Sequence, residues 1–207
     1  MSSMFTGAFL NSLDISNWTL KPTVAPVTSS NGIDIRSFFR ECLFNSNTTI
    51  DLSTWSNTSS LIYLDSFFRG GINVAIPNKI EQINLTGRDT SNVTNMTFMF
   101  YYCTTLTQVI GLDDLRADNL TSIRYMFAIC GMLSFANYNF NDANWNTVIS
   151  LSGSLDSTFR EVGMNLTSPG PAPDVALWDV SNCDQMLSCF LKTNFNNAVD
   201  VNSWDFS

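Results

Sequence analysis

The chain has 207 residues, 44% of them hydrophobic and 13% aromatic, so it is long enough to bury a sizeable core. Its formal net charge of −8 argues against nucleic acid or an anionic bilayer as a partner, because both attract cationic side chains. The sequence contains no histidine, which excludes Ser-His-Asp and Cys-His nucleophilic systems and His-based zinc sites.

The dominant pattern along the chain is a recurring Phe with an apolar residue four positions before it. The seven anchors, 27 to 34 residues apart, are Phe5, Phe39, Phe68, Phe100, Phe127, Phe159 and Phe190. Further apolar residues stand seven positions before and three positions after several anchors. This spacing is typical of one face of a short helix or helical turn. We predict these Phe residues to be the core anchors of a repeat.

Short strips that alternate apolar, Asp or Asn, apolar lie between the anchors. Their central residues are Asp14, Asp51, Asn84, Asn139 and Asp200. Period-two alternation predicts β-strands with the apolar pair inward and the polar residue outward. A Trp follows three of the strips by three residues. The outward polar ladder is the candidate binding face, and a merely solvated face is the alternative interpretation.

No single unit of this size buries its own apolar face, so the units are expected to stack. The predicted fold is a leucine-rich-repeat-like solenoid of about seven coils, forming one domain over residues 1–207. Short parallel strands line one side, and short helices or helical turns line the other. The chain starts and stops inside a repeat. We therefore expect at least one end to be covered by further sequence, another subunit or a larger assembly.

Two segments, Asp89–Cys103 and Trp178–Met186, resemble the BspA-like leucine-rich repeats of bacterial surface proteins. Those repeats carry the signature Trp-Asp-x-Ser-Asn-Val-Thr-x-Met-x-x-Met-Phe-x-x-Cys. The resemblance is close over Asp89–Cys130 and at Trp178–Met186, and looser over the rest of the chain. It implies a leucine-rich-repeat-like solenoid with a role in surface display, attachment or adhesion, and it transfers no catalytic residues. The units here are longer than the family's, and no secretion signal precedes them.

The remaining candidate sites have structural explanations. Most of the five cysteines occupy apolar positions of the repeat, which favours buried thiols, although a Cys103–Cys130 disulfide stays open. The eight Asn-X-Ser/Thr sequences are interpreted as turn-forming Asn rather than glycan sites. Neither a cofactor nor a metal is predicted, since no glycine-rich calcium loop accompanies the polar ladder.

The sequence predicts a non-catalytic interaction or structural module of a surface or virion assembly. With no signal peptide or transmembrane segment in view, a virion structural or decoration protein, as of a phage, is preferred to a bacterial cell-surface adhesin. Expected partners are other subunits of an assembly, or a host surface protein or glycan. The competing class is a carbohydrate-active solenoid enzyme. It requires acidic residues converging in a cleft beside Trp145 or Trp178.

Overall fold

The structure is a computed structural model, and it describes residues 2–10, 13–15, 18–21, 31–44, 48–71, 79–116, 118–136, 138, 140, 145 and 154–205. Asn139 of the predicted binding face lies outside these residues.

The regular elements of the described residues are short parallel strands. They are β1 (Phe9–Leu10), β2 (Ile33–Asp34), β3 (Leu43–Phe44), β4 (Thr48–Asp51), β5 (Leu61–Tyr63), β6 (Ile80–Asn84) and β7 (Gln108–Ile110), with a 3-10 helix at Thr58–Ser60. Strand β1 pairs with β3, β2 pairs with β5, and β4, β6 and β7 form one sheet in that order. Each pair is parallel and joins consecutive repeat units, so the fold is β-rich and repeat-like.

The three-stranded sheet follows the predicted alternation. Ile50, Ile83 and Val109 are in register and all buried. Of the predicted strips, those at Asp51 and Asn84 fall within β4 and β6, whereas those at Asp14 and Asp200 form no regular strand. The alternation does not predict strand β7, because Ile110 stands where the other strips have Asp or Asn.

Within the described residues, the segments around the anchors, from four residues before each Phe to three residues after it, are runs of tight turns. We call them the turn segments. In the unit of Phe100, the N–H groups of residues 99, 101 and 103 donate to the carbonyls three residues earlier, at 96, 98 and 100. Positive φ angles recur two residues before and after the anchor, as at Phe98 (59°) and Tyr102 (62°). A positive φ at the third residue of a turn is the type II arrangement.

The alternate N–H groups of the turn segments bind the next unit. Phe39 N–H donates to the carbonyl of Phe67 at 2.8 Å, and Glu41 N–H donates to that of Arg69 at 2.7 Å. A helix would use these groups internally, in bonds to the carbonyl four residues earlier. The sequence predicts short helices or helical turns here; in the described residues the turn segments contain no α-helix and consist of turns. A turn repeating every four residues buries the same apolar positions as a helix, so the side-chain period could not separate the two.

The seven anchor Phe rings form one continuous column. Successive ring centroids lie 5.4 to 5.7 Å apart, with interplanar angles of 4° to 14°. The five inner rings are fully buried, and Phe5 and Phe190 at the two ends are half-buried. Stacked rings contribute about 0.5–1.5 kcal/mol per pair beyond the burial of their area. This column fixes the register between successive units.

A second aromatic column on the other side of the core is interrupted. Trp18 stacks on Trp55 at 5.6 Å, and Trp145 stacks on Trp178 at 6.2 Å. Indole N–H groups tie this column to the preceding unit, as in the 2.9 Å bond from Trp55 Nε1 to the carbonyl of Ile15.

Between these two Trp pairs, Arg88 and Leu115 occupy the Trp position, three residues after Leu85 and Leu112. A small apolar cavity of about 20 Å³ lies beside Arg88 and is lined in part by Leu115. The Trp side therefore tolerates replacements that leave space.

Candidate functional site

Side chains of the predicted polar ladder accept hydrogen bonds from the backbone. The Asp51 carboxylate accepts a hydrogen bond from the N–H of Ser53 at 2.8 Å, and the Asn84 side chain accepts one from the N–H of Thr86 at 3.1 Å. Asp200 accepts from residue 202 in the same way, at 3.1 Å. These are Asx turns, in which the side-chain oxygen satisfies a backbone donor two residues later. The polar residues therefore shape the chain as it leaves each strip.

The structure brings only part of this ladder together within the described residues. Asp51 and Asn84 are paired in register, and the next position along the sheet is Ile110, which is 37% exposed. Asp14 and Asp200 are exposed and belong to units at opposite ends of the stack. A binding role for these residues stays a prediction.

Three Asn residues of the Asn-X-Ser/Thr sequences also connect neighbouring units. The side-chain amides of Asn57, Asn92 and Asn119 donate to backbone carbonyls of the preceding unit at 2.8, 3.0 and 2.6 Å. These bonds support the interpretation of the three Asn residues as structural.

The cysteines three residues after an anchor are buried thiols. The thiols of Cys42, Cys103 and Cys130 each donate to the carbonyl of the anchor Phe in the preceding unit, at 2.7, 3.0 and 3.0 Å. Cys103 and Cys130 are not joined by a disulfide. Burial raises the pKa of Cys42 to about 12 and that of Cys130 well above its usual range. The thiols of Cys42 and Cys130 therefore stay protonated at neutral pH and act as hydrogen-bond donors.

The most distinctive surface lies on the outside of the turn segments, and the sequence interpretation missed it. We call it the arginine–aromatic surface, and it comprises Arg69, Phe98, Tyr101, Tyr102, Arg124, Tyr125 and Arg160. Phe98 stacks on Tyr125 at 5.0 Å, and Tyr101 packs edge-on against Phe98 at 5.3 Å and against Tyr102 at 5.4 Å. All four rings are half-buried. The result is a rigid aromatic patch that still faces solvent.

Two arginines of this surface lie against the rings. The Arg69 guanidinium is 5.4 Å from the centroid of Phe98 and 5.3 Å from that of Tyr101. Arg124 lies 5.2 Å from the centroid of Tyr125. All three distances suit cation–π attraction. The aromatic rings thus hold the two guanidinium groups in fixed positions.

The charge partners of these arginines differ. Arg124 forms an ion pair with Asp156 at 3.3 Å, and Arg160 forms one with Glu161 at 3.1 Å. In the described part of the chain, Arg69 forms no ion pair, and its buried Nε has no hydrogen-bond partner. No acidic side chain of the described residues therefore neutralises the Arg69 guanidinium.

The backbone ladder lines up the side chains that follow each anchor directly. Gly70 N–H donates to the carbonyl of Tyr101 at 2.7 Å, and Tyr102 N–H donates to that of Ala128 at 3.0 Å. Ile129 N–H then donates to the carbonyl of Arg160 at 2.8 Å. Arg69, Tyr101, Ala128 and Arg160 therefore follow one another in successive units. We call these four residues the recognition row.

The outer turn face is also the cationic part of an acidic protein. Six of the ten Lys and Arg residues lie on the outward positions of the turn segments; they are Arg36, Arg40, Arg69, Arg124, Arg160 and Lys192. Burial raises the pKa of Tyr101, so its hydroxyl stays protonated and able to donate. The signal in the sequence was the presence of aromatic residues at 98, 101, 102 and 125, where a helix model expects polar ones.

The parallel strands, the stacked turn segments and the outward arginine–aromatic surface define a β-rich repeat protein. Residues 1–139 match the family described as "Mycoplasma protein of unknown function, DUF285", and the chain belongs to this family. Neither the curated proteins nor the solved structures contain a match to the chain.

The described residues contain no helix that is long and apolar enough to cross a membrane.

Proposed function

We propose that this protein is a non-catalytic interaction module that displays the arginine–aromatic surface to a protein partner. Its repeat units are the coils of a leucine-rich-repeat-like solenoid of about seven coils. The Phe column supports this architecture, because it runs through all seven turn segments with nearly constant ring spacing. Stacked repeats give extended and rigid binding surfaces.

The observation that carries the proposal is the composition of the outer turn face. A solvated repeat surface needs only polar side chains, yet Phe98, Tyr101, Tyr102 and Tyr125 form a half-buried cluster there. Tyr and Arg are enriched among residues that dominate binding energy at protein interfaces. Mutual packing also holds these side chains in place before binding, which lowers the entropy lost on association.

We propose display at a cell surface as the setting. The segments that resemble BspA-like repeats imply surface display, and the matched family is named for Mycoplasma, a cellular organism. Both favour a cellular surface protein over the virion component that the sequence interpretation preferred. The surface binds a protein partner, and no chemical conversion of that partner is part of the proposal.

Site-specific photo-crosslinking in the producing cells tests this function. A photoreactive phenylalanine analogue at Tyr102 is expected to form a discrete adduct with one or a few proteins. The matched control places the same analogue at Thr49, an exposed residue of β4 outside the surface. Adducts of equal yield and identity at both positions, or none at Tyr102, would show that the surface is not a binding site.

A further inference from the structure

We propose that the arginine–aromatic surface recognises an extended acidic segment of a partner polypeptide, with two carboxylates four residues apart and an apolar residue midway. This inference rests on the proposed function and names the partner's chemistry. It follows from three features: one arginine without an ion-pair partner, the spacing of the recognition row, and the aromatic rings in the middle of that row.

Arg69 is the first anchor point. Its guanidinium packs against two rings, and no ion pair of the described residues includes it. Guanidinium binds a carboxylate through two parallel charge-assisted hydrogen bonds, which are among the stronger polar contacts. Because the rings already position the guanidinium, little side-chain entropy is lost when a carboxylate binds.

The recognition row sets the spacing. Arg69 and Arg160 are three units apart, and neighbouring units joined by parallel ladder bonds lie about 4.8 Å apart, which gives roughly 14 Å between the two positions. An extended polypeptide rises about 3.4 Å per residue, so residues four apart are also separated by roughly 14 Å and point the same way. A segment lying along the stack therefore presents both carboxylates to both arginines.

The middle of the row favours an apolar residue. Tyr101 and Ala128 lie between the two arginines in the row, and because Ala128 is fully buried, the side chain that faces a ligand there is the half-buried Tyr101. The ring of Tyr125, the residue three positions before Ala128, packs 5.9 Å from that of Tyr101. The midway residue of the segment points to the same side as the two acids, so it lies against the rings of Tyr101 and Tyr125.

The distribution of charge favours a polypeptide over a uniform polyanion. The carboxylate of Glu161 lies among the arginines of the surface, and the whole chain carries a net charge of −8. An evenly charged polysaccharide or nucleic acid would meet this carboxylate and the overall negative potential. A peptide carries its charges only at the two positions that face Arg69 and Arg160, the second of which exchanges its pairing with Glu161 for the peptide carboxylate.

Fluorescence anisotropy with defined peptides tests the proposal on the intact chain. The probe is a labelled Gly-Ser peptide that carries Glu-Thr-Leu-Thr-Glu, and the matched peptide has Gln at both Glu positions. We expect the Glu peptide to bind about tenfold more tightly or better, because each charge-assisted bond is stronger than its neutral counterpart. A third peptide, with the second Glu moved one position, directs that carboxylate to the opposite side and keeps the other, so its affinity is expected to lie between those of the Glu and Gln peptides.

Variants of the chain locate the site. Arg69→Ala is expected to abolish the preference for Glu over Gln, and Glu161→Gln is expected to strengthen binding by releasing Arg160 from its ion pair. Arg116→Ala is the control, because Arg116 is an exposed arginine paired with Asp118 outside the surface. Arg69→Lys keeps the charge but loses the planar fork, so it should retain only part of the preference. Circular dichroism confirms the fold of each variant.

The outcomes separate this proposal from the broader function. Equal affinity for the Glu and Gln peptides overturns the acidic-segment proposal, and so does tighter binding of a sulfated polysaccharide such as dextran sulfate. If the analogue at Tyr102 forms a discrete adduct but the Glu and Gln peptides bind equally, the surface binds a partner of different chemistry. The proposed interaction function then holds and the acidic-segment proposal does not. If both the Tyr102 adduct and the preference for the Glu peptide are absent, both proposals are overturned.

Discussion

The two sides of the core differ in how strictly they repeat. On the turn side, all seven units place a Phe in one column, and the thiols of Cys42, Cys103 and Cys130 tie three units to their predecessors. On the strand side, the column of Trp rings is broken at Arg88 and Leu115, and the strands are only two to five residues long. The turn side therefore holds the register, and the strand side fills the space that remains.

The difference arises from the backbone. In the turn segments alternate N–H groups donate to the next unit and the others close turns, so each residue there has a fixed place. Buried backbone donors that lose their partner cost about 1–3 kcal/mol each. A change that shifts one turn segment breaks several bonds at once, whereas a change on the strand side affects mainly packing.

The largest effect is expected from removing a ring of the Phe column. Phe100→Ala should lower the free energy of unfolding by about 3–5 kcal/mol, because it leaves a cavity between two stacked rings. Phe98→Ala, two residues away but on the outer surface, should cost only about 1 kcal/mol, since that ring is half-buried. Urea unfolding of both variants measures the contrast. Similar losses at the two positions would contradict the inward and outward assignment.

The strand side is expected to respond unevenly. Trp55→Leu should cost about 2–4 kcal/mol, since it removes a buried ring and leaves the carbonyl of Ile15 without its donor. Arg88→Leu should change stability by less than about 1 kcal/mol, because lost hydrogen bonds are offset by apolar filling of the adjacent cavity. Thermal unfolding of the two variants gives the comparison. A larger loss at Arg88 would show that the arginine is required there.

The buried thiols predict a loss of stability at alkaline pH. Burial raises the pKa of Cys189 to about 12 from an ordinary value of 9.0. An unfolded thiol ionises above pH 9 while the folded one does not. The stabilisation is therefore complete below pH 9 and declines as the pH rises toward 12, by about 1 kcal/mol per pH unit for this thiol. Urea unfolding at pH 8 and pH 10 measures the decline.

Alkylation of the folded chain at pH 8 supplies the control for the thiols. We expect the half-buried Cys183 to react first and the buried cysteines to react only after unfolding. Rapid modification of Cys103 or Cys130 without unfolding would contradict their burial.

The smallest effect concerns the polar ladder. Asp51→Ala should cost about 1 kcal/mol by removing the bond to the Ser53 N–H, and it should leave binding of the Glu peptide unchanged. Unfolding and anisotropy measurements on the same variant address both points. Weakened peptide binding with unchanged stability would reinstate the polar ladder as a binding face.

Much of the core follows from the sequence alone, because burial depends on periodicity. The Phe anchors and the alternation at Ile50 and Ile83 recur at regular intervals, so the residue pattern by itself identifies them as buried. The backbone of the turn segments could not be identified in this way. A helix and a run of four-residue turns bury the same positions, and only the bonds between units distinguish them.

The candidate surface was harder to predict than the core. Tyr101, Tyr125 and Arg69 come from three different units, and only the register between units brings them together. A helix interpretation also assigns wrong directions to residues beside the anchor, because it lacks the positive φ at Phe98 and Tyr125. The outward Asp and Asn residues were conspicuous in sequence, yet those with described bonds serve the turns that follow them.

The stacking of units is the claim on which the fold and the surface both depend, and a distance between spin labels tests it directly. Labels at Arg40→Cys and Arg160→Cys, in a chain with Cys183→Ser, occupy the same outward position four units apart. Stacking predicts a narrow distribution centred near 20 Å, from about 4.8 Å per unit. A broad distribution, or one centred well beyond the combined reach of the two label arms, would contradict the account.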